Sequence, residues 1–505
     1  MEFRQGTGLP ASELTQLDEG LPSVQPGSNK LPARAALFGR QHACFALLLL
    51  VGAAVRVIVM LGYPGPLLYP DSGPYVSVAV HLLPDQLNPS GYPMMLWLLA
   101  RLQDLTHVNS ITTAVVVQHA MGLCVGLLGY ALLRRKGLPG WGATLAMVPV
   151  LLSAYTIQIE HFLLSDTLFG FLVMVALVVL TWWPEPPFWA CAVAGVLVSF
   201  ASVVRAQGIA VLIAFAVYLL IRFTRWRTLA SLAVFFVAFA LPTAEYAAWF
   251  DTWHGTYAIT TSDGDFLYAE VTTFANCAII RPPADERKMC LNVPVRDRNE
   301  YAAYYLWVWK ANPLDRLRGG NFGNAANSAG LEFGLRAIGA QPLAYLKAVG
   351  MNFGESFMLH SGNPRMYSVT WAGSSSELDY MFPARAPIWA LKYKFVYFDQ
   401  YDGSPPNEAI VHPYSGWIQT YQRYIVVSGP LLGVIALIGL GGLILSWRRR
   451  GGDGLLPWIV GMGLLLAPAT ILFDVRFVVC AIPPLCVAAG IGAQRIAALS
   501  RRART

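Results

Sequence analysis

A chain of 505 residues with 55% apolar residues, only 13% charged residues and a positive mean hydropathy is not a soluble globule. Soluble domains carry about 25% charged residues, so much of this surface must face lipid. The net charge of +7 does not mark a nucleic-acid partner, because the basic residues fall in short runs beside hydrophobic segments.

Residues 1–41 are polar, with Gly, Pro and Ser and no apolar periodicity, and read as a flexible cytoplasmic tail. The first apolar run, "CFALLLLVGAAVRVIVMLGY", begins too deep in the chain for a cleaved signal peptide. At about 20 residues it is long enough to span a bilayer, so it is expected to be a retained first transmembrane helix. Residues 72–104 hold "PYVSVAVHLL" and "GYPMMLWLLARL", apolar but too short to cross, and are expected as interfacial helices within a first outer loop at 63–110. Further spans are expected near 112–133, 141–159, 163–183, 188–205, 208–223 and 228–249, completing an N-terminal membrane module over 42–249. Residues 250–423, rich in Tyr, Trp, Asn and Gly, form an extracytoplasmic cap of mixed pattern. At least one helix is expected there, at "AGLEFGLRAIGAQPLAYLKAVG". C-terminal membrane helices follow over 424–496, near 424–446, 455–473 and 477–496, and 497–505 is a second cytoplasmic tail. The expected fold class is therefore an all-α polytopic membrane protein of about ten transmembrane helices.

Orientation comes from Lys and Arg in short loops. With ten spans, Arg134-Arg135-Lys136, Arg222/Arg225/Arg227, Arg448-Arg449-Arg450 and Arg501-Arg502-Arg504 all fall on one side, with Arg34 and Arg40 in agreement. Both termini are then cytoplasmic, in the plasma membrane of a cell. One loop, "WWPEPPF" at 182–188, has no basic residue and is the weakest joint of this topology. Only seven of the 36 basic residues are Lys; that bias, with abundant Ala and Gly, suggests a GC-rich bacterial genome. Cys277 and Cys290 alone among the seven cysteines lie in the outer segment, and an oxidising outside favours a disulfide over a zinc site lacking further His or Cys partners.

The topology gathers charge at one face. Asp71 follows the first span, between Pro70 and Pro74. Glu160, His161 and Asp166 in "IEHFLLSDTLF" sit at the next outer turn, Arg205 in "SVVRAQG" at a third, and Asp474 and Arg476 in "FDVRFVV" at a fourth. Any one of these reads most simply as a solvated or capping residue. Four hairpin ends together read as a functional surface, since charges at that depth are costly and find partners. The chemistry suggested is group transfer from a lipid-borne phosphate: forked Arg donors suit the phosphate, and a carboxylate can take the proton of an attacking hydroxyl.

The motifs "DSGPYVSVA" (71–79) and "PSGYPMMLWLL" (89–99) resemble the first outer loop of the glycosyltransferase C superfamily. The branch they look like is the bacterial polyprenyl-phosphate-sugar-dependent transferases related to protein O-mannosyltransferases. That family places an Asp in this loop, often followed four residues later by Tyr, here Asp71 and Tyr75. "EHFLLSD" matches its second acidic patch, so Glu160 and Asp166, with His161 between them, are the candidates. Val204-Arg205 matches a "VR" at the end of a later span, and Arg476, with Pro483 and Pro484 beyond it, matches a closing arginine. The resemblance covers roughly 42–223 and 424–496; the order of these short motifs carries most of its weight. Many relatives carry two adjacent acidic residues in the first loop, whereas here Ser72 follows Asp71. A divalent cation is thus left open, because one carboxylate is a poor site without Glu160 or Asp166 beside it.

The resemblance implies a membrane glycosyltransferase, a hexosyl- or pentosyltransferase of cell-wall biogenesis. It would take sugar from a polyprenyl-phosphate-linked donor and pass it to an envelope glycan, lipid or protein acceptor. Asp71 would be the catalytic base, Arg205 and Arg476 would hold the phosphate, and Tyr75, Glu160, His161 and Asp166 would contact substrate. Membrane lipids are the other expected partners, and nucleic acid is not one. The rivals are a transporter or lipid flippase, which should show internal repeats and mid-helix charges, and a non-catalytic envelope scaffold.

Overall fold

The structure, a computed structural model, describes residues 30–106, 108–222, 225–358, 382–383, 398, 400–401, 407, 409–447 and 452–502. Residues 1–29 of the tail expected at 1–41, residues 503–505 of the tail expected at 497–505, the basic run 448–450 and much of 359–408 lie outside the described residues. Among the described residues the regular elements are helical, apart from an isolated bridge between Leu67 and Phe162. Five helices are long and apolar enough to cross a membrane, and a bent pair makes a sixth candidate. Shorter apolar helices at Asp166–Thr181, Phe188–Val204, Gly208–Arg222 and Gly429–Leu445 join them. The chain is an all-α polytopic membrane protein.

The first helix, α1 (Lys30–Gly62), starts well before the expected tail ends at 41. The reason lies in "LPARAALFGRQ", whose Ala, Leu and Arg are strong helix formers. α2 (Ser72–His81) and α3 (Gly91–Thr106) follow between α1 and α4 (Ser110–Arg135). The span expected as one piece at 141–159 is two, α5 (Gly140–Leu152) and α6 (Ala154–His161), meeting at 49°. Pro149 lies inside α5, and Ser153 leaves the helical region at ψ 119°. The backbone groups freed at the break find partners on other elements. Ala154 N donates to Ile425 O at 2.8 Å, and the Tyr421 hydroxyl donates to Leu152 O. Broken helices persist in membranes where neighbours satisfy the backbone in this way. The break re-aims α6 and brings Glu160 and His161 inward.

α7 (Asp166–Thr181), α8 (Phe188–Val204), α9 (Gly208–Arg222) and α10 (Arg225–His254) complete the first half. The segment expected at 250–423 contains, among its described residues, α11 (Asp263–Thr272), α12 (Cys277–Ile280), α13 (Ala302–Trp307), α14 (Asn324–Ala340) and α15 (Pro342–Glu355). The periodic stretch expected to hold a helix yields two, divided at Gln341 by Pro342, which cannot continue the first but can open the second. The chain closes with α16 (Tyr414–Gln422), α17 (Gly429–Leu445), α18 (Leu455–Ile471) and α19 (Val478–Arg502). α19 is the central post: Ala481, Leu485 and Val487 are fully buried. Against it α17 approaches so closely that a Cβ on Gly442 would lie 2.3 Å from the Cα of Gly492, the small-residue contact that lets membrane helices touch backbone to backbone.

The segment from α11 to α15 has its own apolar core, with Tyr268, Val271, Leu314, Ala326, Phe333 and Ala337 buried together. It docks on the end of α18 next to Arg476: Tyr345 donates to Thr470 O at 2.9 Å, and Asn352 to Ala469 O at 3.3 Å. Asn352 also donates to Glu270 at 2.9 Å, and burial pushes the Glu270 carboxyl up to about 8. Cys277 and Cys290 are bonded, with Cα atoms 6.1 Å apart. Replacing both with Ser should remove roughly 3 kcal/mol from this unit in the chain-entropy view of a loop of about 14 residues. Mass spectrometry of unreduced peptides should show the pair linked, and limited proteolysis should cut the double variant faster between α11 and α13.

At the opposite ends of the helices Lys136 pairs with Asp453 at 3.2 Å. Arg227 reaches Glu185 at 3.1 Å, and the Arg135 guanidinium lies over the Trp182 ring. The "WWPEPPF" loop thus stands at the same end as the basic clusters, although it has no basic residue itself.

Candidate active site

Asp71 is placed by the loop between α1 and α2. Leu67 N donates to His161 O (3.0 Å) and Leu163 N donates to Leu67 O (3.2 Å), fixing the loop against the turn between α6 and α7. Ser72 then clamps it again, its Oγ donating to Leu163 O at 3.0 Å and accepting from Tyr69 N at 2.9 Å. Asp71 caps α2 through its backbone carbonyl, which takes Tyr75 N at 3.0 Å, and its side chain makes no cap bond. Pro74 falls in the first turn of α2, where a missing N–H is harmless. The carboxylate is therefore free to face another partner, and that partner is Arg476: Nη2 to Oδ2 is 2.7 Å. Asp71 Oδ1 takes no hydrogen bond from the described residues.

Two further hairpin ends converge on this pair, and Asp474 joins from Arg476's own turn. Ser165 and Asp166 open α7, and Arg205 ends α8 in an extended conformation. Arg205 Nη1 donates to Asp166 Oδ2 at 2.5 Å and to Ser165 Oγ at 3.1 Å. Ser165 in turn meets the Tyr75 hydroxyl at 3.0 Å, which ties α7 back to α2. Asp474 accepts Arg476 N at 3.1 Å, so it caps the short 3₁₀ turn that carries the arginine, and it accepts the Tyr69 hydroxyl at 3.0 Å. The Arg205 guanidinium lies 4.8 Å and that of Arg476 5.2 Å from the centre of the Phe477 ring. Arg476 also covers the Tyr69 ring at 4.4 Å. Aromatic faces hold desolvated guanidinium groups in this way. From the segment between α12 and α13, Tyr301 lies within electrostatic reach of Asp474 and Glu355.

The cluster is largely buried but not closed on itself. Arg476 Nη1 is buried with no hydrogen-bond partner, and so is Asp166 Oδ1. A buried donor on a guanidinium and a buried acceptor on a carboxylate are expensive to leave unmade, and a ligand with both functions would complete them. Burial, and secondarily the Asp71 charge, raises the Tyr75 hydroxyl above its usual range. Burial, with Asp474, does the same to Tyr69. Both phenols therefore remain donors at neutral pH. A divalent cation does not fit: Asp71 and Asp166 each face a guanidinium, and no group of three His, Cys, Asp or Glu that could hold a metal occurs among the described residues.

Of the residues expected from sequence, Asp71, Tyr75, Asp166, Arg205 and Arg476 are brought together. Glu160 and His161 are not in that cluster. They lie in a second buried network with Arg56, Gln118 and His119, in which the Arg56 fork grips both Glu160 oxygens at 2.7 and 2.6 Å. Gly122 makes room for this carboxylate, since a Cβ there would meet Glu160 Oε1 at 1.9 Å. Sequence reasoning passed over Arg56, Gln118 and His119. Their signal was nonetheless present: "GAAVRVIV" and "VVVQHAMG" place polar groups inside spans, where they need partners. Tyr69, Ser165 and Phe477 carried no comparable mark.

No protein-family model matches the chain, and no curated protein matches it. Among solved structures, the chain is similar to ArnT from Cupriavidus metallidurans bound to undecaprenyl phosphate. The identity is 13% and the TM-score 0.34, over 90% of this chain and 77% of that one. The apo state of that ArnT gives 14% and 0.34 over the same shares. Archaeal oligosaccharyltransferase AglB from Archaeoglobus fulgidus, in complex with an inhibitory peptide and a dolichol-phosphate, gives 11% and 0.43 over 92% of this chain. This chain spans about half of AglB, at 52% of its length.

Proposed function

We propose that the chain is an integral membrane glycosyltransferase. It moves a hexosyl or pentosyl group from a polyprenyl-phosphate donor to a cell-envelope glycan, lipid or protein acceptor on the extracytoplasmic side of a ten-span membrane protein with both termini cytoplasmic. The observation that carries this reading is the meeting of Asp71, Asp166, Arg205 and Arg476, from four hairpin ends remote in sequence, around one aromatic ring.

In this reading the donor phosphate takes the unpartnered Nη1 of Arg476 and the outward donors of Arg205, which bind it by charge-assisted hydrogen bonds. The acceptor hydroxyl sits against Asp71 Oδ1. Its oxygen attacks the anomeric carbon, its proton passes to Asp71, and the bond from that carbon to the phosphate oxygen breaks with the electron pair leaving on polyprenyl phosphate. The two arginines stabilise the charge gathering on the leaving group. Asp166 holds Arg205 in place, and Tyr75 holds Ser165. Glu160 and His161 support the loop that carries Asp71 and touch substrate only through it.

Arg205→Ala is expected to weaken donor binding by one to two orders of magnitude, the loss of one charge-assisted bond at about 1.5–3 kcal/mol. Titration of purified protein in nanodiscs with undecaprenyl phosphate measures this. Undiminished affinity would count against the phosphate role and against the reading.

A further inference from the structure

We infer that His119 and His161 together hold one proton beyond two neutral imidazoles, and that this proton locks the loop carrying Asp71. The inference rests on hydrogen-bond geometry; it leans on the proposed function only for what Asp71 does once positioned.

Three contacts link the network, and each needs a hydrogen. His161 Nε2 lies 2.9 Å from Tyr63 O and 3.0 Å from Gly65 O. Carbonyl oxygens only accept, so Nε2 carries a hydrogen. His161 Nδ1 and His119 Nε2 are 3.0 Å apart, which requires one hydrogen between them. His119 Nδ1 lies 2.9 Å from Glu160 Oε2 and requires a third. Two neutral imidazoles supply two hydrogens.

The missing hydrogen must be a proton on Glu160 or on the histidine pair. Arg56 decides between them. Its Nε and Nη2 donate to Oε2 and Oε1 of Glu160 at 2.7 and 2.6 Å, a forked pairing that requires the carboxylate in its ionised form. The extra proton therefore resides on the histidines, and the network consists of Arg56 and one imidazolium around a single carboxylate. All four side chains are at most 4% exposed. The remaining titratable neighbours already donate their hydroxyls elsewhere: Tyr63 to Pro383 O at 2.9 Å, Tyr92 to Gln118 at 2.7 Å, and Tyr421 to Leu152 O.

The proton's structural effect falls on the Asp71 loop. His161 grips Tyr63 O and Gly65 O through its side chain and Leu67 N through its carbonyl. Gln118 holds the other edge, donating to Glu160 O and Phe162 O, both at 2.7 Å. Without the third hydrogen, one contact becomes lone pair against lone pair. The strain then falls on the His161 ring and on residues 63–71. His161 is in this sense a positioning residue for Asp71.

The test uses full-length protein labelled with ¹⁵N-histidine in nanodiscs at neutral pH, with resonances assigned through His119→Gln and His161→Gln. Three protonated ring nitrogens and one bare nitrogen across the pair are expected; two and two would overturn the inference. Hydrogen exchange supplies the second readout. Glu160→Gln and His161→Leu should each speed exchange over 63–72 by about tenfold to a hundredfold relative to the rest of the chain, as expected for loss of a charge-assisted bond. His161→Gln, which keeps a donor, should restore part of the protection. Unchanged exchange over 63–72 in both variants would overturn the lock. Neither readout measures sugar transfer, so an inactive or differently active protein leaves this test intact, and its failure leaves the proposed function standing.

Discussion

Asp71→Asn should turn over about 10²- to 10⁴-fold more slowly while still binding donor, the cost of losing a general base whose removal leaves the shape of the site intact. The structure sharpens this expectation. Asp71 spends one oxygen on Arg476 and its side chain makes no helix-capping bond, so Asn removes the proton acceptor without unravelling α2. It also removes a counter-charge from Arg476, so donor phosphate should bind at least as well as in the parent. Affinity and turnover, measured together in nanodiscs, check both halves. Near-normal turnover would make the carboxylate only a structural partner of Arg476, and lost donor binding would make it part of the phosphate cradle instead.

Arg56→Leu should be among the most destabilising single substitutions in the chain, costing about 3–5 kcal/mol, because it takes the forked guanidinium from the buried Glu160 carboxylate and leaves it only the histidine contact. Arg56 also donates to Gly52 O at 3.0 Å and Leu151 O at 2.9 Å, and Leu151 belongs to the helix interrupted at Ser153. The substitution thus weakens the pairing of a charge and unpairs a backbone carbonyl at once. Arg56→Lys keeps the charge but not the fork and should fall between the two. Thermal unfolding in nanodiscs, followed for both variants and for Arg56→Leu combined with Glu160→Leu, checks the argument. The double variant should recover much of the loss, because replacing both members of a buried pair by apolar groups is far milder than removing one.

Much of the membrane architecture was legible because hydropathy is a long-range signal, repeated over some twenty residues per span. The charges at the hairpin ends were legible for a related reason: in an apolar chain each Asp or Arg is conspicuous, and short loops force it to one side. What could not be read was partnership. Asp166 and Glu160 stand in one motif, yet α6 and α7 turn them toward different arginines, Arg205 and Arg56. The break at Ser153 was not anticipated, since Pro149 alone is tolerated inside membrane helices. Ser165, Tyr69 and Phe477 contribute through packing angles, and no spacing rule announces these.

The closing arginine has a consequence for biosynthesis. Arg476 stands in the last hairpin, while its partner Asp71 follows the first helix. A chain emerging N-terminus first has Asp71, Asp166 and Arg205 in place long before residue 476 has been translated. Until the final helix inserts, the ring of Phe477 is missing and the second guanidinium has not arrived. A truncated or stalled chain would carry the carboxylate of the site without the cation that faces it. Completion of the polypeptide and completion of the charge pair are therefore the same event.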